Sequence, residues 1–250
     1  MKTSLARRVA KPFLLPLIVL AFWQVLYWMV GDVALRSPLA TFTHAAHLLA
    51  TGELSEHLLE TGKAFLGALI LAVTIGLSIG LVLGFSKFAA EVFEPVLVAV
   101  YSVPKITLYP ILLLTFGLGI SAKIAFGAIH GIIPIALFTI NAVRNVRPVL
   151  LKTARVMKLS KLELVRDVLL PAALPEIFTG LRIGFALTLI GTLLGEMFAS
   201  QRGLGYLLMT AIGLHKIELI MAITLLLVVF AVGASSILLH LDRRLRARYA

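Results

Sequence analysis

The chain has 250 residues, 60% of them hydrophobic and 14% charged, with no cysteine and a formal net charge of +11. Soluble domains run near about 45–50% apolar and about 25% charged, so this composition excludes an ordinary water-soluble domain and points to an integral membrane protein. The lack of cysteine excludes disulfides, iron–sulfur clusters and thiolate metal sites.

A bilayer core of ~30 Å takes about 20 apolar residues per helix. Six stretches approach that length: residues 12–30, 64–85, 96–116, 124–141, 181–199 and 219–240. The polar–apolar alternation of a membrane β-barrel is absent. The expected fold is therefore an all-α integral membrane protein with six transmembrane helices in a single domain spanning residues 1–250.

The first stretch follows a basic tail with Lys2, Arg7, Arg8 and Lys11 and no acid. Its length exceeds the ~7–15 apolar residues of a signal-peptide core, and no small-residue cleavage site follows, so it is expected to be a retained span. Residues 31–62 form an acidic connection, with Asp32, Glu53, Glu56 and Glu60 against a single Arg36. The sequence ETGKA at 60–64 resembles a phosphate loop superficially. That pattern needs Gly at 57 and Ser or Thr at 64, where His57 and Ala64 stand, so no nucleotide site is expected.

The third stretch contains SVPKITLYP, with Lys105 between Pro104 and Pro110. A charge at membrane depth marks solute pathways. A break at the prolines would let Lys105 meet an anionic substrate, while a lysine near the interface also snorkels without any such role. GLGIS then makes a tight turn into the fourth stretch, where His130 has apolar neighbours and no second ligand at i+3 or i+4. This pattern reads as a core histidine bonded to a nearby carbonyl, and no metal site is expected. Glu196, near the end of the fifth stretch, is the second candidate pathway residue. It reads either as a gate or external contact, or as an interfacial carboxylate paired with Arg202. Gly203 and Gly205 read as a tight re-entrant turn.

Orientation follows from the cations. The basic N-terminal tail, the basic segment with Arg144, Arg147, Lys152, Arg155, Lys158, Lys161 and Arg166, and the tail with Arg243, Arg244, Arg246 and Arg248 fall on one side if the spans are even in number. The positive-inside rule places that side, with both termini, in the cytoplasm of a bacterial-type inner membrane. The cations beside apolar spans point to membrane lipid. No basic patch is interleaved with stacking aromatics, so nucleic acid is not an expected partner.

The most polar long segment, KLSKLELVRDVLLPAALPEIFTGLRIG at 158–184, lies between the fourth and fifth stretches. Ser160 and Glu163 have capping-box spacing, so a helix is expected to start there. Leu162, Val165, Val168 and Leu169 share one helical face, opposite Glu163, Arg166 and Asp167. Pro171 is expected to stop the helix, because the residue before a proline favours extended geometry. Such a helix either lies on lipid headgroups or presents itself to a soluble partner.

This segment resembles the EAA loop of ABC-transporter permeases, whose pattern is E-A-A, three residues, G, nine residues, I-x-L-P. Aligned on Pro171, Val168 stands for the Ile, Leu170 for the Leu and Ala154 for the second Ala. Lys152 replaces the Glu, Thr153 the first Ala and Lys158 the Gly. LPAALPEIFTGLRIG, GEMFASQRGLGYLL and SVPKITLYPILLLTFGLGIS resemble permeases of the nitrate/sulfonate/taurine importer group, over roughly residues 94–248. The resemblance implies a cytoplasmic coupling loop over about 144–180, in which Lys152, Thr153, Ala154, Lys158, Ser160, Leu162, Glu163, Val165, Val168, Leu170 and Pro171 contact an ATP-binding subunit. It further implies a second permease copy, an extracytoplasmic solute-binding protein, a small anionic solute, and ATP with Mg held by the partner rather than by this chain. An ion-gradient-driven secondary transporter is the alternative, but that wants more acidic or histidine relays than Lys105, His130 and Glu196 provide. A membrane enzyme would need a clustered set of catalytic side chains, which the sequence lacks.

Overall fold

The computed structural model describes residues 2–198 and 200–249, with side chains for 14–160, 162–198, 200–247. The side chains of Lys2, Arg7, Arg8, Lys11, Lys161 and Arg248 thus lie outside the described residues, as does Ala199, the expected end of the fifth stretch. Among the described residues the structure is helical and contains no strand.

The elements in order are α1 (Lys2–Val30), α2 (Pro38–Thr51), α3 (Ser55–Gly84), α4 (Lys87–Ser102), a 3₁₀ turn (Lys105–Leu108), α5 (Tyr109–Phe116), α6 (Ile120–Arg144) and α7 (Pro148–Val156). The turn α8 (Lys161–Glu163) and a π-helical stretch (Leu164–Leu169) then lead into α9 (Leu170–Phe198), α10 (Leu204–Gly213) and α11 (Ile217–Tyr249).

Among the described residues, four helical stretches are long and apolar enough to cross a membrane: Ser55–Gly84, Ile120–Arg144, Leu164–Phe198 and Ile217–Ala247. A fifth crossing is counted if α4 and the Lys105–Phe116 helix, bent by 84° at their junction, form one span. Leu14–Val30 is a shorter apolar helix. Four of the six stretches read from sequence, and a fifth if the bent pair is one span, thus meet this test among the described residues, and the first stretch is represented there by Leu14–Val30.

The bend has a local cause. Val103 precedes Pro104 and is held extended (ψ 131°), which ends α4. Pro110 then sits in the first turn of α5, where its missing N–H is not needed. The break anticipated at these prolines is present.

Two expectations are corrected. The 31–62 connection contains α2 and the start of α3. Ser37 caps α2, its side chain accepting from Ala40 N at 3.3 Å, and Gly52 closes it at φ 76°. Nor does Pro171 stop a helix: helical backbone runs on from Lys161 through Phe198. The widened π turn explains this, since Leu170 N–H bonds Val165 O, five residues back. A regular α-turn would press the proline ring on the carbonyl four residues earlier; the π register relieves that clash.

The chain divides into two compact units, one formed by the residues through Ser55 with Leu207–Phe230, the other by Glu56–Tyr206 with Ala231–Ala250. In the first, Arg36 is the hub. Its guanidinium pairs with Asp32 at 2.9 Å and Glu218 at 2.5 Å, and its carbonyl accepts from Trp23 Nε1 at 2.9 Å. Ala45, Leu48, Leu54 and Ala222 form the apolar cluster of that unit.

In the second unit α6 is the central helix, seamed to α3 and α9 by small residues. Ala64, Ala68 and Ala72 of α3 are fully buried. A Cβ added at Gly131 of α6 would stand 2.8 Å from Ala72 Cβ, and one at Gly80 of α3 would stand 2.7 Å from Thr139 Cγ2. Small residues let helix backbones approach in lipid, where hydrophobicity alone gives no preference for helix over lipid tail.

Gly62 lies in the same helix as Gly80 but has nothing within 4 Å of an added Cβ. Gly62→Ala is therefore expected to raise stability by about 0.5–1 kcal/mol. Gly80→Val is expected to cost about 1–3 kcal/mol or more through overpacking. Unfolding midpoints in detergent check both; a Gly80→Val protein as stable as the parent rules out the close seam.

Candidate functional site

Two groups of residues carry chemistry beyond packing, both within the second unit.

The first is the elbow from α7 through the π-helical stretch. α7 starts at Pro148 and ends in a Schellman motif: Lys158 N–H bonds Arg155 O at 3.0 Å and Leu159 N–H bonds Ala154 O at 3.1 Å. This motif needs a left-handed residue just past the helix end, and Lys158 supplies it with φ 53°. The turn expected of a glycine is thus made by a lysine, in a conformation costing an L-residue roughly 1–2 kcal/mol. Next, Ser160 and Glu163 form the expected capping box. Ser160 N–H donates to Glu163 Oε2 at 2.7 Å, and Glu163 N–H donates to Ser160 Oγ at 3.3 Å. Hydrogen bonding by Ser160 holds the Glu163 carboxyl below the usual carboxylate range.

The elbow has an inner and an outer side. Ala154 is buried. Leu151 and Leu169 rest on the cluster of Ala142, Val143, Val146, Ala173 and Ile177. Facing out are Val149, Val156, Met157 and Leu162, the last 75% exposed. Lys152, Thr153 and Leu170 are also exposed, while Val165, Val168 and Pro171 are half-buried. The face expected to carry Leu162, Val165, Val168 and Leu169 together is therefore split, with Leu162 pointing away from the body.

The second group surrounds Glu196, near the end of α9. Glu196 is fully buried. Its carboxylate accepts from Thr61 Oγ1 at 2.9 Å and from Gly205 N at 3.0 Å, while Thr61 Oγ1 accepts from Leu204 N at 2.8 Å. Gly203 N–H donates to His57 Nδ1 at 3.1 Å. Lys123, only 3% exposed at its side chain, pairs with Glu60 at 2.9 Å and donates to Arg202 O at 2.8 Å. The Tyr109 hydroxyl donates to Gly195 O. These bonds pin residues 202–206 to α3, α6 and α9. Gly203, at φ 118°, permits the tight turn read from the sequence and lies so close to the Glu196 carboxyl that a Cβ would collide with it.

The sequence reading of Glu196 as an interfacial carboxylate beside Arg202 gives way to this arrangement: Arg202 contributes its carbonyl, to Lys123, rather than its guanidinium to Glu196. Local sequence does not single out Thr61, Glu60, His57 and Lys123 as a group. The polar side chains of His57, Glu60 and Thr61 at i, i+3 and i+4 of one helix are the available signal, at a place where the sequence otherwise shows only an incomplete phosphate-loop pattern. Lys105 lies apart from Glu196 in role: its ammonium donates to Tyr101 O at 3.0 Å and sits 4.3 Å from the centroid of the Tyr101 ring. It satisfies a carbonyl at the end of α4 while keeping its charge over an aromatic face. His130 bonds the Phe126 carbonyl at 2.8 Å, as expected of a core histidine.

Removing Glu60 leaves the buried Lys123 ammonium without its carboxylate, so Glu60→Met is expected to cost about 3–5 kcal/mol. Lys123→Met in the same chain should restore part of that loss. A double-mutant cycle on unfolding midpoints checks this, and an additive double mutant refutes the pairing.

Comparison with known proteins follows the same lines. The chain is 33% identical, over 80% of its length and 74% of the relative's, to a putative aliphatic sulfonates transport permease protein of Bacillus subtilis. It is 34% identical, over 82% of its length and 77% of the relative's, to a riboflavin transport system permease protein of Chloroflexus aurantiacus. Among solved structures, the MetNI methionine ABC transporter in inward-facing conformations superposes with TM-score 0.68 at 20% identity, over 77% of this chain and 95% of that one, a likeness of fold. Residues 72–247 match the family of binding-protein-dependent transport system inner membrane components, which takes in the elbow, Glu196 and the π-helical stretch; the chain belongs to that family, as a permease subunit of an ABC importer.

Proposed function

We propose that this subunit is the non-catalytic pore-forming half of an ATP-driven importer. The chain crosses the inner membrane six times with both termini in the cytoplasm. A second copy completes the pathway, a cytoplasmic ATP-binding subunit holds ATP and Mg, and an extracytoplasmic protein delivers a small anion such as a sulfonate, taurine or nitrate. The observation that carries this reading is the elbow: a doubly capped segment, anchored inward by Ala154, Leu151 and Leu169, that exposes Val149, Val156, Met157 and Leu162. An apolar set displayed on a braced scaffold suits docking into a partner's groove.

The residues Lys152, Thr153, Ala154, Lys158, Ser160, Leu162, Glu163, Val165, Val168, Leu170 and Pro171 then form the coupling region. Closure of the ATPase partners displaces the elbow. Because helical backbone continues through Pro171, that displacement passes into α9 without a hinge. Glu196 and Lys123 hold the opposite end of α9 to α3 and α6, so the same helix carries motion toward the external turn at 202–206. The sulfonate-transport relative supports an anionic solute; the riboflavin-transport relative makes solute class a question for uptake assays.

Reconstitution of the whole complex in proteoliposomes tests this function. ATP-dependent uptake of taurine or nitrate that requires the binding protein is expected. Uptake that persists without ATP hydrolysis returns the gradient-driven carrier.

Leu162→Glu should abolish co-purification of the ATPase subunit, and retention of that subunit at parental yield counts against the docking surface. Lys158→Gly should keep coupling and raise stability by roughly 1–2 kcal/mol, while Lys158→Val, β-branched in a left-handed position, should lower both. The depressed Glu163 carboxyl gives the cap a pH signature. Its contribution is present above the ordinary carboxylate range and is lost as pH falls through the lowered folded value. Glu163→Gln should remove this acid-side dependence from elbow protection in hydrogen exchange.

A further inference from the structure

In the second unit, a cavity of about 640 Å³ opens between Tyr101 at the end of α4, the middle of α9 and the second half of α11. Apolar side chains such as Leu187 and Val232 line most of it, but Arg182, Ser235 and Ser236 also reach the wall.

The charge there does not balance. The carboxylate paired with Arg182 belongs to Asp242, at 3.9 Å, and Arg246 holds the same carboxylate more closely, at 3.2 Å. One carboxylate thus serves two guanidiniums. Arg182 keeps donors free, and Tyr101 on the same wall carries the Lys105 ammonium 4.3 Å from its ring centroid. Among the described residues, neither the Ser235 nor the Ser236 hydroxyl has a hydrogen-bond partner. Ser78, by contrast, bonds back to its helix at 2.7 Å in the way exposed serines of apolar helices do. An under-neutralised arginine and two unused hydroxyls on an apolar wall are the complement of a small oxyanion: planar donors for two oxygens, hydroxyls for a third.

We propose that this cavity is the oxyanion subsite of the translocation pathway, with Arg182 as the cation and Ser235 and Ser236 as hydrogen-bond donors to a sulfonate- or nitrate-like group. The proposal rests on the importer reading. An anionic lipid headgroup shares the oxyanion chemistry, and the test separates the two sources.

Because the chain has no cysteine, Ser236→Cys places a single thiol in the cavity. The assembled complex in phosphatidylcholine nanodiscs is labelled with an anionic sulfonatoethyl or a cationic trimethylammonioethyl methanethiosulfonate. Rates are normalised to each reagent's rate with a free thiol and read as the mass shift of this chain. A cationic cleft raises local anion concentration by about tenfold or more, so the anionic reagent should be favoured by that factor. Arg182→Gln should remove the preference. If that variant fails to assemble, Lys105→Gln, which leaves the Arg182–Asp242–Arg246 cluster in place, should weaken it. No labelling, no charge preference, or a preference indifferent to both variants overturns the subsite. Loss of labelling when phosphatidylglycerol is added assigns the cavity to lipid and also overturns it. Taurine and nitrate uptake by the parent complex is scored separately. Charge preference without uptake removes the anion-importer reading and leaves the cavity's selectivity standing; uptake without charge preference removes the subsite alone.

Discussion

The close seam of α6 against α3 and α9 is the constraint on which the rest of the second unit depends. In lipid, helix association relies on packing and hydrogen bonds, because the surrounding tails are as apolar as the side chains. Gly80 facing Thr139 and Gly131 facing Ala72 bring backbones within reach of such packing. The elbow is held by this body, since Leu151 and Leu169 rest on Ala142, Val143 and Val146 at one end of α6. At the other end of α6, Lys123 reaches Glu60 of α3 and the carbonyl of Arg202. A single packed helix therefore fixes both ends of the chemistry.

The polar residues near Glu196 illustrate what burial demands. An ionisable group withdrawn from water is tolerated when its partners are supplied by the fold. Thr61 and Gly205 meet the Glu196 carboxylate, and Glu60 meets Lys123. The bonds converge on residues 202–205, so a buried turn leading into α10 is positioned by four helix-borne side chains.

The elbow shows a different economy of design. Its left-handed residue is a lysine, and its proline sits inside continuous helix. Strain at a special backbone position persists where surrounding structure over-determines it. Here two Schellman hydrogen bonds and a capping box flank Lys158, and the π-helical register accommodates Pro171. The result is a doubly capped segment continuous with α9, with apolar side chains exposed.

Much of this was legible in one dimension. Run lengths of apolar residues fix helices in a membrane because backbone polar groups must be satisfied within each segment, so the apolar stretches, the break at Pro104 and the Ser160–Glu163 cap followed from local chemistry alone. The resemblance to the EAA loop, aligned on Pro171, located the elbow. What local rules could not reach was anything depending on residues distant in sequence. The partner of Glu196 is 135 residues away in Thr61, and that of Lys123 is 63 away in Glu60. The passage of helix through Pro171 and the grouping of Tyr101, Arg182 and Ser235 around one cavity were likewise decided by tertiary structure. Side-chain spacing determines which helix face is apolar, but only packing determines which face meets which and which polar groups are left without a partner.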